Sequence, residues 1–161
     1  MLHWTGGDYE TVFPAYHFCL SGASNVRVHA THDLRANMRD LRADSSAAYA
    51  AHTEGRNSYA AGIAVCAMHG ATPGDFGRYP PSAQQIDALC IVSAALVRTY
   101  GIALADVRTH AEAALIDGYF GAESDEARWD IARLEPSREP LRAEEARCVG
   151  DALRHRIAQL L

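Results

Sequence analysis

The chain has 161 residues, of which 48% are hydrophobic and 22% charged, and its formal net charge is −5. This size and composition are typical of one globular domain that folds without disulfides or a structural metal. The negative charge argues against a nucleic-acid partner, because proteins that bind nucleic acids usually present a basic surface. The first residues show no signal-peptide pattern and no apolar run reaches about 18 residues, so we expect cytoplasmic synthesis without a spanning helix.

The first half of the chain predicts short strands. Residues 2–5, 15–20 and 26–29 have strand-like composition or alternation, whereas 31–46 is a polar, irregular segment with at most one helical turn. A continuous apolar run over residues 60–68 predicts a buried central strand.

The second half predicts two helices. The first begins after Ser82, which forms a capping box with Gln85, and it stops at Gly101. Residues 103–108 then predict a strand that ends near His110, followed by a long polar loop to Asp130.

Potential metal ligands stand at both ends of that loop and at the start of the chain. His3, His110 and Asp130 are residue types that bind Zn²⁺, and a catalytic zinc takes three protein ligands and keeps one position open. The pattern alone also fits two solvent-facing histidines and a helix-capping aspartate. Asp125 and Glu126 are alternatives to Asp130 as the third ligand.

Five motifs in order resemble the type 2 zinc-dependent N-acetylmuramoyl-L-alanine amidases, which share a fold with peptidoglycan recognition proteins and small phage amidases. The resemblance covers roughly residues 1 to 134. The motifs are His3-Trp-Thr-Gly-Gly, Tyr16-His-Phe, the segment from His52 through Asn57 to Gly62-Ile-Ala-Val, His110-Ala-Glu and Arg128-Trp-Asp. The resemblance implies an α/β fold with a mixed central β-sheet flanked by helices, and a zinc ion held by His3, His110 and Asp130.

The resemblance also implies the catalytic groups. Water activated by the metal attacks an amide carbon, and Tyr16 and Arg128 are the polar groups expected to assist. Arg128 stands where the family often has Lys; it can stabilise an oxyanion but cannot shuttle a proton. The glutamate base that many members carry on the central strand corresponds to Ala64 here, so that base is absent. Glu112 is a spare candidate base or a residue that orients a metal histidine.

Two further residues are predicted to line the substrate groove. His52 and Asn57 flank the entry of the central strand and are expected to contact substrate. His17 lies next to Tyr16 and should point to the opposite face of its strand, so we assign it a structural role. Tyr16 and Arg128 also have a simpler interpretation, as an ordinary strand aromatic and a surface charge.

The last predicted element is an amphipathic helix over residues 141–161, which follows a proline-flanked linker over 136–140. We divide the chain into an amidase catalytic domain over 1–135 and a linker and helix over 136–161 packed on the same domain. Contact of this helix with a membrane is the less favoured alternative, because Glu144, Glu145 and Asp151 offset much of its arginine charge.

The function implied is hydrolysis of the amide between N-acetylmuramic acid and L-alanine in peptidoglycan. Two alternatives stay open: a peptidoglycan-binding module or regulator without catalysis, and a cytosolic amidase that recycles soluble muropeptides. Without a signal peptide, a wall-lytic enzyme would reach its substrate after release by an unidentified route, as phage lysis enzymes do.

Overall fold

A mixed four-stranded β-sheet forms the centre of the protein, in a computed structural model that describes residues 1–44, 46–121 and 129–161. Its strands are β1 (Leu2–Trp4), β2 (Phe18–Ser21), β3 (Arg27–Ala30) and β4 (Ile63–Val65). The order is β1-β4-β2-β3, with β4 parallel to both β1 and β2 and β3 antiparallel to β2. The predicted α/β class with a mixed central sheet is confirmed.

The central strand is shorter than the apolar run that predicts it. Pairing in β4 is limited to three residues, all buried. Beyond it the chain leaves the strand conformation, and Met68 has a φ of 75°, in the left-handed region. An apolar run reports burial, whereas strand length depends on how far the neighbouring strands extend.

Three α-helices surround the sheet in the described residues: α1 (Ala83–Tyr100), α2 (His110–Asp117) and α3 (Ala143–Ala158). The predicted capping box of α1 is present, and Gly101 ends the helix with a φ of 64°, a conformation that glycine adopts at little cost. No helix in the described ranges is both long and apolar enough to span a membrane.

The predicted strand before His110 is wrong. Residues Leu104–Asp106 form a 3₁₀ turn, and His110 is the first residue of α2 rather than the end of a strand. The reason is local: the Thr109 hydroxyl accepts a hydrogen bond from the Glu112 amide, and the Glu112 side chain accepts one from the Thr109 amide. This capping box starts a helix in a segment whose sequence predicts a loop.

One apolar core joins the sheet to α1 and α3. Leu20 and Val65 contribute from the sheet, Leu89 from α1, and Leu153 and Ile157 from α3. The apolar stripe of the C-terminal helix therefore packs against the same core that covers the strands.

Candidate metal centre

Three potential metal ligands converge at one edge of the sheet. His3 Nδ1 lies 3.4 Å from Asp130 Oδ2, and His110 Nδ1 lies 3.2 Å from the same oxygen. The two imidazole centroids are 4.7 Å apart, and one ligand atom from each residue falls within 4.8 Å of the others. The structure thus brings together the three residues that the sequence predicts as ligands.

Strand alternation orients His3, and the position of α2 beside β1 brings His110 next to it. Leu2 and Trp4 point into the apolar core, so His3 between them points to the other face of β1. The segment before α2 runs beside β1, with the Leu2 amide donating to the Arg108 carbonyl at 2.8 Å. That contact places the first residue of α2, His110, next to His3.

A strained turn holds Asp130. Its carbonyl accepts a hydrogen bond from the Ala111 amide at 3.1 Å, which ties the turn to the start of α2. Ile131 is fully buried and has a φ of 59°, an unfavourable conformation for a β-branched residue. Trp129 packs edge-on against Trp4 at 4.8 Å between centroids. Packing on both sides of Asp130 therefore maintains a backbone conformation that the local sequence disfavours.

The protonation states of the cluster suit a cation. His3 is fully buried, and burial lowers its pKa to about 4, which the nearby Asp130 carboxylate offsets only in part. Burial alone would raise the pKa of Asp130, but its contacts with His110 and His3 outweigh that effect and lower it well below the usual range. Metal ligands must be neutral imidazoles and ionised carboxylates.

The cluster is accessible on one side. The side chains of His3 and His110 are 0% and 6% exposed, whereas that of Asp130 is 16% exposed. A donor set of two imidazoles and one carboxylate fits a catalytic zinc site, which needs three protein ligands and an open position.

One predicted catalytic group lies beside the cluster. The Tyr16 ring centroid is 5.1 Å from that of His3, and its hydroxyl donates to the Trp4 carbonyl at 3.3 Å. Arg128 lies outside the described residues, as do Asp125 and Glu126. The catalytic roles of Tyr16 and Arg128 stay predictions.

Of the two residues predicted to bind substrate, His52 lies beside His3 and Asn57 contacts Thr53. His52 is 5% exposed, and its ring centroid is 5.4 Å from that of His3. The Asn57 side-chain oxygen accepts a hydrogen bond from the Thr53 amide at 2.8 Å. Their contacts with substrate stay predictions. In the structure, His52 contacts the candidate ligand His3, and Asn57 holds Thr53.

Thr53 is a residue of the site that sequence reasoning missed. Its hydroxyl oxygen lies 3.3 Å from His3 Nε2 and 3.0 Å from His52 Nδ1. A metal-binding histidine usually engages its second nitrogen with a polar partner. The ligand role of His3 therefore predicts such a partner. Because Thr53 is 50 residues away from His3 in the sequence, no local pattern identifies it.

The Glu112 carboxylate has a structural role, because its hydrogen bonds are made with α3 and with the start of α2. Arg154 donates to both of its carboxylate oxygens, at 2.9 and 2.8 Å, and the Thr109 amide donates to one of them. Pairing with Glu112 raises the pKa of Arg154. These bonds connect the first turn of α2 to α3.

The mixed sheet and the open His-His-Asp cluster together are typical of hydrolases that use a single metal ion. Comparison with known families agrees: the family model described as N-acetylmuramoyl-L-alanine amidase matches residues 1–128. The chain belongs to this family, which assigns it amidase activity on peptidoglycan. No curated protein and no solved structure gives a significant match. Asp130 and α3 lie beyond the matched residues.

Proposed function

We propose that the protein is a zinc-dependent hydrolase of the amide bond between N-acetylmuramic acid and L-alanine in peptidoglycan. The observation that carries the zinc assignment is the cluster of His3, His110 and Asp130, whose ligand atoms lie within 4.8 Å of one another and which is open on the Asp130 side. When bound, zinc lowers the pKa of water to about 7 and polarises a carbonyl oxygen. Family membership supports the substrate class.

The chain's own residues would orient the substrate and stabilise charge. Tyr16, whose ring contacts that of His3, would hydrogen-bond the attacking water or the oxygen of the substrate amide carbonyl, which becomes negatively charged during attack. Arg128 would stabilise the negative charge that develops on that oxygen. Ala64, the Cα partner of His3 in the sheet, offers no carboxylate where many relatives place a base. Proton transfer would therefore use water rather than a carboxylate at that position.

Replacing a ligand tests the zinc site. We expect His110→Ala to abolish both zinc content and amidase activity, because two remaining side chains cannot complete a three-ligand site. Zinc is measured by elemental analysis, and activity by release of stem peptide from peptidoglycan. His155→Ala is the control, since it removes an exposed histidine from α3. Full zinc occupancy in His110→Ala would contradict the assignment.

Two measurements separate the alternatives: zinc content set against peptide release, and activity on soluble muropeptides set against activity on intact sacculi. Bound zinc without released peptide would support a binding module or regulator. Turnover of soluble muropeptides but not intact sacculi would support a recycling amidase, whereas a wall-lytic enzyme should degrade sacculi and reduce their turbidity.

A further inference from the structure

We propose that Thr53 and His52 form a hydrogen-bonded relay that sets the tautomer of His3 and so leaves His3 Nδ1 free to bind the metal. The proposal rests on the zinc site proposed above and assigns positioning roles to two residues behind it. In this role neither residue binds zinc directly.

The relay runs from a backbone carbonyl to the metal ligand. His52 Nε2 lies 3.3 Å from the Ala60 carbonyl oxygen, and His52 Nδ1 lies 3.0 Å from Thr53 Oγ1. Thr53 Oγ1 in turn lies 3.3 Å from His3 Nε2. The remaining nitrogen, His3 Nδ1, faces Asp130.

The direction of every hydrogen bond follows from the carbonyl. The Ala60 oxygen can only accept, so His52 must carry its proton on Nε2. An imidazole whose one N–H is on Nε2 is an acceptor at Nδ1, so Nδ1 accepts a hydrogen bond from the Thr53 hydroxyl. The Thr53 oxygen is left as an acceptor, which requires a proton on His3 Nε2. The opposite direction would set a bare His52 Nε2 against a carbonyl lone pair.

The relay is held rigidly. A Cβ on Gly62 would lie 2.5 Å from His52 Cγ, so only glycine allows the backbone to approach the ring this closely. Thr53 is 1% exposed, and its amide donates to the Asn57 side chain. Neither side chain can turn away from His3 without breaking these contacts.

The result at the other end of His3 matches what a cation needs. A bare Nδ1 lies 3.4 Å from the Asp130 carboxylate, so two groups that can donate lone pairs to a cation stand side by side. The alternative tautomer would place a proton there, and binding zinc would first require its removal or transfer.

Two substitutions of Thr53 test the relay. Thr53→Val keeps the shape but removes the hydroxyl, and we expect it to weaken zinc binding by about 10- to 100-fold, as for other partners of metal histidines. Thr53→Ser keeps the hydroxyl and should bind zinc like the wild type. Affinities are measured by competition with a chromophoric chelator. Equal zinc affinity in Thr53→Val and the wild type would overturn the proposal, and so would a Thr53→Ser variant as weak as Thr53→Val.

The tautomer itself is measurable in the full-length wild-type chain after zinc removal. Long-range ¹H–¹⁵N correlation spectra, with the His3 signals assigned by their absence in His3→Gln, should show a protonated Nε2 and a bare Nδ1. A protonated Nδ1 would overturn the relay without reference to any Thr53 variant. Failure of the wild type to bind zinc would instead refute the proposed function, so the two ideas fail on different measurements.

Discussion

Burial sets the protonation of His3 at the candidate metal centre, whereas contacts with the two histidines set that of Asp130. His3 is enclosed, so its pKa falls to about 4 and the imidazole is neutral at pH 7. Asp130 is the most exposed of the three side chains and remains ionised beside two imidazoles. This arrangement brings one potential ligand atom from each of the three residues within 4.8 Å of the others, while Asp130 stays partly exposed.

The proposed role of Arg128, stabilisation of the negative charge on the substrate oxygen, is tested by substitution. We expect Arg128→Ala to retain zinc but to lose kcat by about 10²-fold or more, as when other oxyanion donors are removed. Arg128→Lys should be milder because the charge survives. Zinc content and kcat on peptidoglycan check this, and a wild-type kcat in Arg128→Ala would exclude the role.

At the scale of elements, the contact between α2 and α3 fixes the helix that carries His110. Gly150 of α3 lies against the Glu112 carboxylate, which Arg154 and the Thr109 amide hold in place. A Cβ at Gly150 would lie 2.3 Å from a carboxylate oxygen of Glu112. The two helices can approach this closely only because residue 150 has no side chain.

The sign of the change in unfolding free energy caused by Gly150→Ala therefore tests this contact. In an exposed helix this substitution stabilises by about 1 kcal/mol. Here we expect it to destabilise by about 1–3 kcal/mol, because the added methyl group overpacks the contact. Denaturant unfolding measures the change.

The matched control for Gly150→Ala is the same substitution in a Glu112→Ala background. There the clash is removed, so Gly150→Ala should become neutral or stabilising, and the double-mutant cycle gives the coupling between the two positions. Additive effects in the cycle would show that Glu112 is not what opposes the methyl group.

At the scale of the whole molecule, α3 completes the core although the family match ends before it. Leu153 and Ile157 belong to the same apolar cluster as Leu20 and Val65 of the sheet. Its apolar stripe is thus used inside the protein, which favours packing over contact with a membrane.

Truncation before Pro140 distinguishes packing from membrane binding. If α3 packs, its removal should lower the melting temperature and increase the binding of a hydrophobic dye, because core side chains become exposed. An unchanged melting temperature together with reduced binding to anionic vesicles would contradict this and support a membrane role.

Local patterns and ordered motifs in the sequence by themselves determined the capped helix α1, the α/β class and the identity of the three clustered side chains. The Ser82–Gln85 capping box and Gly101 act within a few residues, so no tertiary information is needed to predict them. The same reasoning should have found α2, since Thr109 and Glu112 show the same capping pattern.

Only the tertiary structure decided which side chains support the candidate ligands. Thr53 meets His3 across 50 residues, and Arg154 meets Glu112 across 42, so neither contact leaves a periodic signal in the sequence. Both depend on strand register and helix packing, which are set by the whole core rather than by neighbouring residues. His110 illustrates the difference: its residue type was sufficient to predict a ligand, but its place at the start of a helix beside β1 followed from tertiary contacts.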